Sequence, residues 1–199
     1  LFFGDRHYFG VVFGFFIDSA ISLDATLADY AIDDIHPALN ESEKIAKIRH
    51  LLTSSSDVFH PAAAADNKKF PPRNSQSSGE EFVYNNWDFN APGTIFEKMT
   101  NRKIFEFFHQ KIAFPTGMED FIWQEDGRYD WSEIAEHPAY HFDRTARDMA
   151  RLGWLMLQNG NWKGQQIVPA EWLKTITRSK IPVSDAYGGG RYGDMWWVR

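Results

Sequence analysis

The apolar positions of this chain change period several times, and each change marks an element. His7 to Ala20 ("HYFGVVFGFFIDSA") is apolar almost all round, which predicts a helix buried on every side. "ISLDATLADY" follows as a turn and a short amphipathic piece. From Asn40 to Thr53 ("NESEKIAKIRHLLT"), Ile45, Ile48, Leu51 and Leu52 recur at helical spacing. Asn40 is placed to cap that helix, with Glu43 completing a capping box. Ser54 to Gly79 has no periodicity and is rich in Ser, Pro, Ala and Asn. It predicts a long loop crossing the surface, and loops of that length are usually functional or mobile.

The second half alternates more regularly. A helix is expected over 89–99, with Pro92 tolerable only in its first turn. Another is expected over 103–113, where Ile104, Phe107, Phe108 and Ile112 share a face and Pro115 and Gly117 end it. Residues 119–140 read as irregular. Thr145 to Asn159 is the clearest helix, with Thr145 as cap, Asp148 three residues on and Gly160 as terminator. "NWKGQQIV" reads as a tight turn into a short strand, and Pro169 opens a helix through Ile176. "GGGRYGDMWWV" is a Gly-rich loop entering a strand. Neither an internal repeat nor a linker is visible, so residues 1–199 read as a single α+β domain, with 54–79 as a surface loop within it.

Composition narrows the class. Of 199 residues, 43% are hydrophobic and 16% aromatic, which is a globular balance, not a disordered one. The net charge is −6 with no basic block, which argues against nucleic acid or an anionic membrane as partner. There is no cysteine, so a disulfide framework, a thiol nucleophile and a cysteine-ligated zinc are all excluded. Tyr8 to Ile17 has the length of a signal-peptide apolar region, but Asp5 partly cancels Arg6 and the run passes straight into patterned sequence. A buried helix is the better reading. The chain begins at Leu1 and stops inside an apolar run, so both ends read as cut from something longer.

"GEEFVYNNWDFN", Gly79 to Asn90, sets two amides among aromatic residues. An amide in such company needs hydrogen-bond partners. With "IRHLLTSSSDVFH", "IAFPTGMEDF", "HPAYHF…TARDMARLGWLMLQNGNWKGQQIVPAEW" and "RYGDMWWV", in this order, it resembles the serine hydrolases related to class C β-lactamases and penicillin-binding DD-peptidases. The resemblance runs from about Gly14 to Val198. It implies a β-lactamase/transpeptidase-like fold, represented here mostly by the helical lobe with a remnant of the antiparallel sheet. It also implies acyl transfer through a serine ester, on a small-molecule, peptide or ester substrate, with no cofactor and no metal. Family members often work outside the cytoplasm, in the periplasm or beyond the cell, although no signal peptide is visible here.

Within that family, a Tyr-x-Asn motif serves the site, and Tyr84-Asn85-Asn86 matches it. The resemblance gives Tyr84 proton transfer to and from the serine, and gives Asn86 the holding of the lysine and the substrate amide. Asn85 would point away and fix the loop. The nucleophile and lysine of the family's Ser-x-x-Lys fall near Phe3 and Arg6. Phe3 has no nucleophilic atom, and Arg6 cannot give up its proton near neutral pH. The family's Lys/His-Thr/Ser-Gly motif is not present either, because the chain stops after the "MWWV" strand. These residues alone are therefore expected to be inactive, as a fragment or as a pseudoenzyme. The alternative is a non-catalytic module binding peptidoglycan or another sugar–peptide ligand.

Other signals are weaker. His137 and His141 have the spacing of two zinc ligands on a helix, but Pro138 between them argues against that helix. Asp143 stands where relatives often carry Arg, which reverses the local charge. "GGGRYG" satisfies G-x-G-x-x-G, yet a strand follows it where a dinucleotide site needs a helix. The acidic pairs Glu80–Glu81 and Glu119–Asp120 read as solvated surface. The many tryptophans read as packing and not as a carbohydrate platform.

Overall fold

A computed structural model describes residues 5–17, 19–35, 37–65 and 70–198, and describes the side chains from His7 onward. Phe3 lies outside the described residues, and so does the side chain of Arg6. The first helix, α1 (Asp5–Phe13), is buried as its pattern predicts: Tyr8, Phe9, Val11, Val12 and Phe13 are shielded from solvent. It ends earlier than Ala20. After Phe13 the backbone tightens into short turns, with Gly14 N–H donating to Val11 and Phe15 N–H to Val12. This lets Phe15 and Phe16 fan out onto Phe107, with ring centroids 5.3 and 5.1 Å away.

The expected helix over 40–53 is two short ones, α2 (Glu41–Lys44) and α3 (Ile48–Leu52). The capping box of Asn40 and Glu43 is present. The break at 45–47 has a tertiary cause. The Lys44 and Ala46 carbonyls accept from Ala28 and Leu27, and the Ile48 and Arg49 N–H groups donate to Ala25 and Leu23. A neighbouring strand-like segment thus takes bonds that a continuous helix would have kept. Ile45 falls in the break and is 64% exposed, so it leaves the apolar stripe.

Residues 54–79 contain no helix or strand among the described residues, as expected. Their first part does not cross the surface, however. Ser54, Ser55, Ser56, Val58, His60 and Ala63 are buried. Val83 N–H donates to the Ser54 carbonyl and Gly79 N–H to that of Ser55, so the segment is held from both sides.

Helix α4 (Trp87–Thr100) starts two residues before the expected one, which places Pro92 inside it and not in its first turn. The left-handed Asn101 (φ 52°) ends it. Next, α5 (Ile104–Phe108) runs through one wide π turn, His109–Ala113, into α6 (Phe114–Thr116), and Gly117 (φ 71°) stops the run. A short α7 (Trp123–Asp126) then leads into a hairpin.

That hairpin, β1 (Gly127–Ser132) and β2 (Ala135–Phe142), occupies the stretch expected to be irregular and overturns the expectation that strands lie only near the C-terminal end. Gly127 faces Phe142 and Asp130 faces Ala139, but Ser132 faces Ala135. The register therefore slips between Asp130 and Ser132, and Pro138 falls in the slip, where no ladder bond is required of it. Four consecutive buried residues in β2 also erase the two-residue alternation that marks a strand.

Helix α8 (Ala146–Leu157) is capped by the Thr145 side chain, which accepts from Asp148 N–H. The pair β3 (Asn161–Trp162) and β4 (Gln165–Gln166) is a tight hairpin, and α9 (Ala170–Ile176) follows Pro169. Strands β5 (Ile181–Pro182), β6 (Arg191–Tyr192) and β7 (Trp197–Val198) form an antiparallel sheet in that order. The result is an α+β fold, mostly helical, with small antiparallel sheets. Most buried side chains form one core around α1, α4 and α5; Phe82, Ile181, Val183 and Tyr192 form a second, smaller one.

Candidate functional site

The segment 82–90 lies where the two cores meet. Tyr84 packs against both, half-buried. Its ring lies 5.6 Å from that of Phe89 and 6.1 Å from the Trp197 indole. Phe82 fills the smaller core against Tyr192, at 5.0 Å. The aromatic residues around the motif are therefore its mould.

The two amides do different work. Asn85 is buried. Its Nδ2 donates to the Val58 carbonyl at 2.6 Å, and its Oδ1 accepts from Trp87 N–H at 2.9 Å. It fixes the loop, as expected. Asn86 stands at the N-terminal boundary of α4 with helical backbone angles (φ −71°, ψ −28°). Its Nδ2 donates to the Ala64 carbonyl at 2.6 Å, which commits one of its two N–H groups. One turn on, Asn90 Nδ2 donates to the Ala63 carbonyl at 3.1 Å. Three side-chain amides thus clasp the carbonyls of residues 58–64. Beneath them, Ser56 Oγ donates to Asp88 Oδ1.

The other end of the candidate site enters through α1. His7, in its first turns, meets the Trp196 ring edge-on at 4.4 Å. Trp196 precedes Trp197, which stacks on Tyr84. Two adjacent residues, Trp196 just before β7 and Trp197 at its start, therefore touch α1 and the Tyr84 ring respectively.

The remaining candidates separate. His137 is buried beside Trp87, while His141, further along β2, approaches Asp130 at 3.8 Å. Among the described residues no group of three His, Asp or Glu could hold a metal ion. Asp143 pairs with Arg128 at 2.8 Å, and that guanidinium holds its carboxyl below the usual range. "GGGRYG" is a turn running into β6, not into a helix. A cleft of about 280 Å³ between Phe105, Trp123 and Tyr129 lies elsewhere and shares no residue with the motif. No helix among the described residues is long and apolar enough to cross a membrane.

Two residues at the site carried no sequence signal. Asp34 and His60 are buried polar side chains in irregular segments; Asp34 accepts from Trp87 Nε1, and His60 lies against Asp34. Asp34 in "AIDDIHP" fits no motif, and His60 closes the "IRHLLTSSSDVFH" phrase of the resemblance without a role of its own there.

Comparison with known proteins gives a consistent picture. A family model described as Beta-lactamase matches residues 12–199. A search of curated proteins returned no match. Among solved structures, a Bacillus anthracis protein provisionally described as a 6-aminohexanoate-dimer hydrolase superposes with a TM-score of 0.71 at 20% identity, covering 96% of this chain and 56% of that one. A penicillin-binding protein homologue from Caulobacter crescentus gives 0.67 at 12% identity, over 96% and 64%. The octameric penicillin-binding protein homologue from Pyrococcus abyssi gives 0.64 at 18%, over 96% and 51%. At such identities the likeness is one of fold. The chain spans between about half and two thirds of the length of these three structures.

Proposed function

Since the chain belongs to the β-lactamase family, we propose that it carries part of a serine-hydrolase site for acyl transfer from a small amide or ester. Tyr84 is the proton-transfer residue of that site and Asn86 its substrate positioner. One observation carries this reading: the first turns of α1 and the ring of Tyr84 rest on the adjacent Trp196 and Trp197. The family's nucleophile belongs at the start of such a buried helix, and His7 near that start and the Tyr84 ring meet two adjacent residues, Trp196 and Trp197.

These 199 residues do not themselves complete the reaction. Positions 3 and 6 offer neither a nucleophile nor a base, and the family match begins only at residue 12. Incubation with nitrocefin and with p-nitrophenyl esters is expected to give no turnover above a heat-killed control; turnover would refute the inactivity. The site's geometry has its own test. The chain has no cysteine, so Phe3→Cys and Asn86→Cys can carry a nitroxide pair without background labelling. Mutual spectral broadening is expected, and labels too far apart to interact would remove Asn86 from the site. Retention on cell-wall sacculi without turnover would instead favour the binding module.

A further inference from the structure

The carbonyls that receive the amides of the candidate site belong to one strap, residues 58–64, and a buried histidine fastens it. The His60 side chain is wholly shielded from solvent. Its Nε2 lies 2.7 Å from the Pro37 carbonyl oxygen, and its Nδ1 lies 2.7 Å from the Pro61 carbonyl oxygen. A carbonyl oxygen only accepts, whereas a neutral imidazole has one N–H and one bare acceptor nitrogen. Two acceptors facing two ring nitrogens are both satisfied only when each nitrogen carries an N–H.

The counter-charge is in place. Asp34 Oδ2 stands 3.3 Å from His60 Nδ1, and both side chains are 0% exposed. The same carboxylate accepts from Trp87 Nε1 at 2.6 Å and from the backbone N–H groups of Ile35 and Glu136, each at 2.7 Å. It acts only as an acceptor, which is the hydrogen-bond inventory of the ionised form. Among the described residues, His137, from β2, is the other imidazole at this cluster, with Glu136 beside it. Its Nδ1 faces the Thr94 hydroxyl at 3.1 Å, a partner that can donate or accept. Burial pushes its ring toward the neutral form against the pull of Asp34.

We propose that Asp34 and His60 form a buried carboxylate–imidazolium joint that positions Asn86. The joint reaches Asn86 by two routes: His60 sets the strap whose Ala64 carbonyl holds the carboxamide, and Asp34 holds Trp87, the next residue along. Its functional meaning rests on the reading of Asn86 as a site residue.

The test uses the whole chain, labelled with ¹⁵N-histidine and ¹⁵N-asparagine, at about pH 7.5, a unit above the value near 6.5 at which an ordinary imidazole is half-protonated. Signals are assigned by their loss in His60→Gln and Asn86→Gln. Both His60 ring nitrogens are expected to carry protons in the folded chain; a single N–H overturns the proposal, and this readout needs no variant of the joint. Asp34→Asn is expected to remove one ring proton and to shift the side-chain amide pair of Asn86, while His141→Gln leaves that pair in place. Unmoved Asn86 amides in folded Asp34→Asn overturn the positioning role. If that variant does not fold, His60→Gln is read in the same way. No turnover is measured, so a failed hydrolase reading leaves this result standing, and a neutral His60 leaves the hydrolase reading untouched.

Discussion

The ring of Tyr84 lies stacked on the indole of Trp197, with centroids 6.1 Å apart and 26° between their planes. Phe82 meets the same indole edge-on at 5.6 Å. Segment 82–90 and strand β7 are thereby fixed against each other by aromatic contact, with each pair adding about 0.5–1.5 kcal/mol beyond its buried area. Trp197→Ala is expected to lower stability by about 3 kcal/mol, the low end for this truncation because the ring is only half-buried. It should also flatten the near-ultraviolet circular dichroism. Trp197→Phe should restore most of both. Urea titration checks the first claim, and a loss below about 1 kcal/mol would mean that the stack fixes little.

Helix α4 and strand β2 approach each other over a glycine. A Cβ on Gly93 would stand 2.2 to 2.8 Å from three atoms of the Tyr140 ring, which is itself 6% exposed. Two effects compete in Gly93→Ala. Helix propensity favours alanine by about 1 kcal/mol, while overpacking a closed core costs about 1–3 kcal/mol, sometimes more. The ring has nowhere to retreat, so the clash wins and the variant is less stable by about 2 kcal/mol. A thermal melt decides the sign; stabilisation would show that β2 moves away freely.

Legibility in the sequence followed the range of the forces involved. Asn40, Thr145 and Gly117 mark helix ends by chemistry reaching no more than four residues, and each was readable. The break at 45–47 was not, because it comes from backbone bonds to 23–28, some twenty residues away. Pro138 hid β2 for a related reason: a proline argues against a strand unless the register slips beside it, and the slip is a property of the pair. The candidate site divides in the same way. Tyr84 and Asn86 stand in a contiguous motif, so a resemblance could find them. Asp34 and His60 meet only in the folded chain.

A buried charge pair joins the residues flanking β5 and β6, Lys180 and Asp194. Asp194 is 0% exposed, and the Lys180 ammonium, partly exposed, bonds its Oδ2. Burial raises the Asp194 carboxyl above its ordinary range, and Lys180 pulls it back. Lys180→Met removes that pull. Breaking a buried pair costs about 3–5 kcal/mol, and the low end is expected here because Lys180 reaches solvent. A carboxyl raised on folding opposes the fold when ionised, and this penalty lifts as pH falls through its folded value. The cost of Lys180→Met should therefore shrink on acidification, whereas Lys180→Met/Asp194→Leu should regain stability at every pH. Urea midpoints at several pH values test both; a cost independent of pH would place the ionised carboxylate in contact with water.

The last prediction concerns His137 and runs in the opposite direction. Its ring is buried, and burial depresses its proton affinity more than Asp34 and Glu136 restore it. A histidine depressed on folding contributes stability that is whole above the unfolded value of about 6.5 and is lost as pH falls below it toward the folded value. The loss cannot exceed about 1.4 kcal/mol per pH unit for one proton. His50 adds to the same slope to a lesser degree, because it is only half-shielded; burial lowers it first, then the charges of Lys47 and Arg49. Glutamine at 137 does not titrate and retains a polar group to face Thr94. His137→Gln should therefore lose less stability than the parent chain between about pH 7 and pH 5, with the two curves meeting most closely at the acid end. Denaturant midpoints across that window provide the measurement. Parallel curves would show that the ring takes up its proton as readily folded as unfolded, against the direction that its burial beside Trp87 and Thr94 gives.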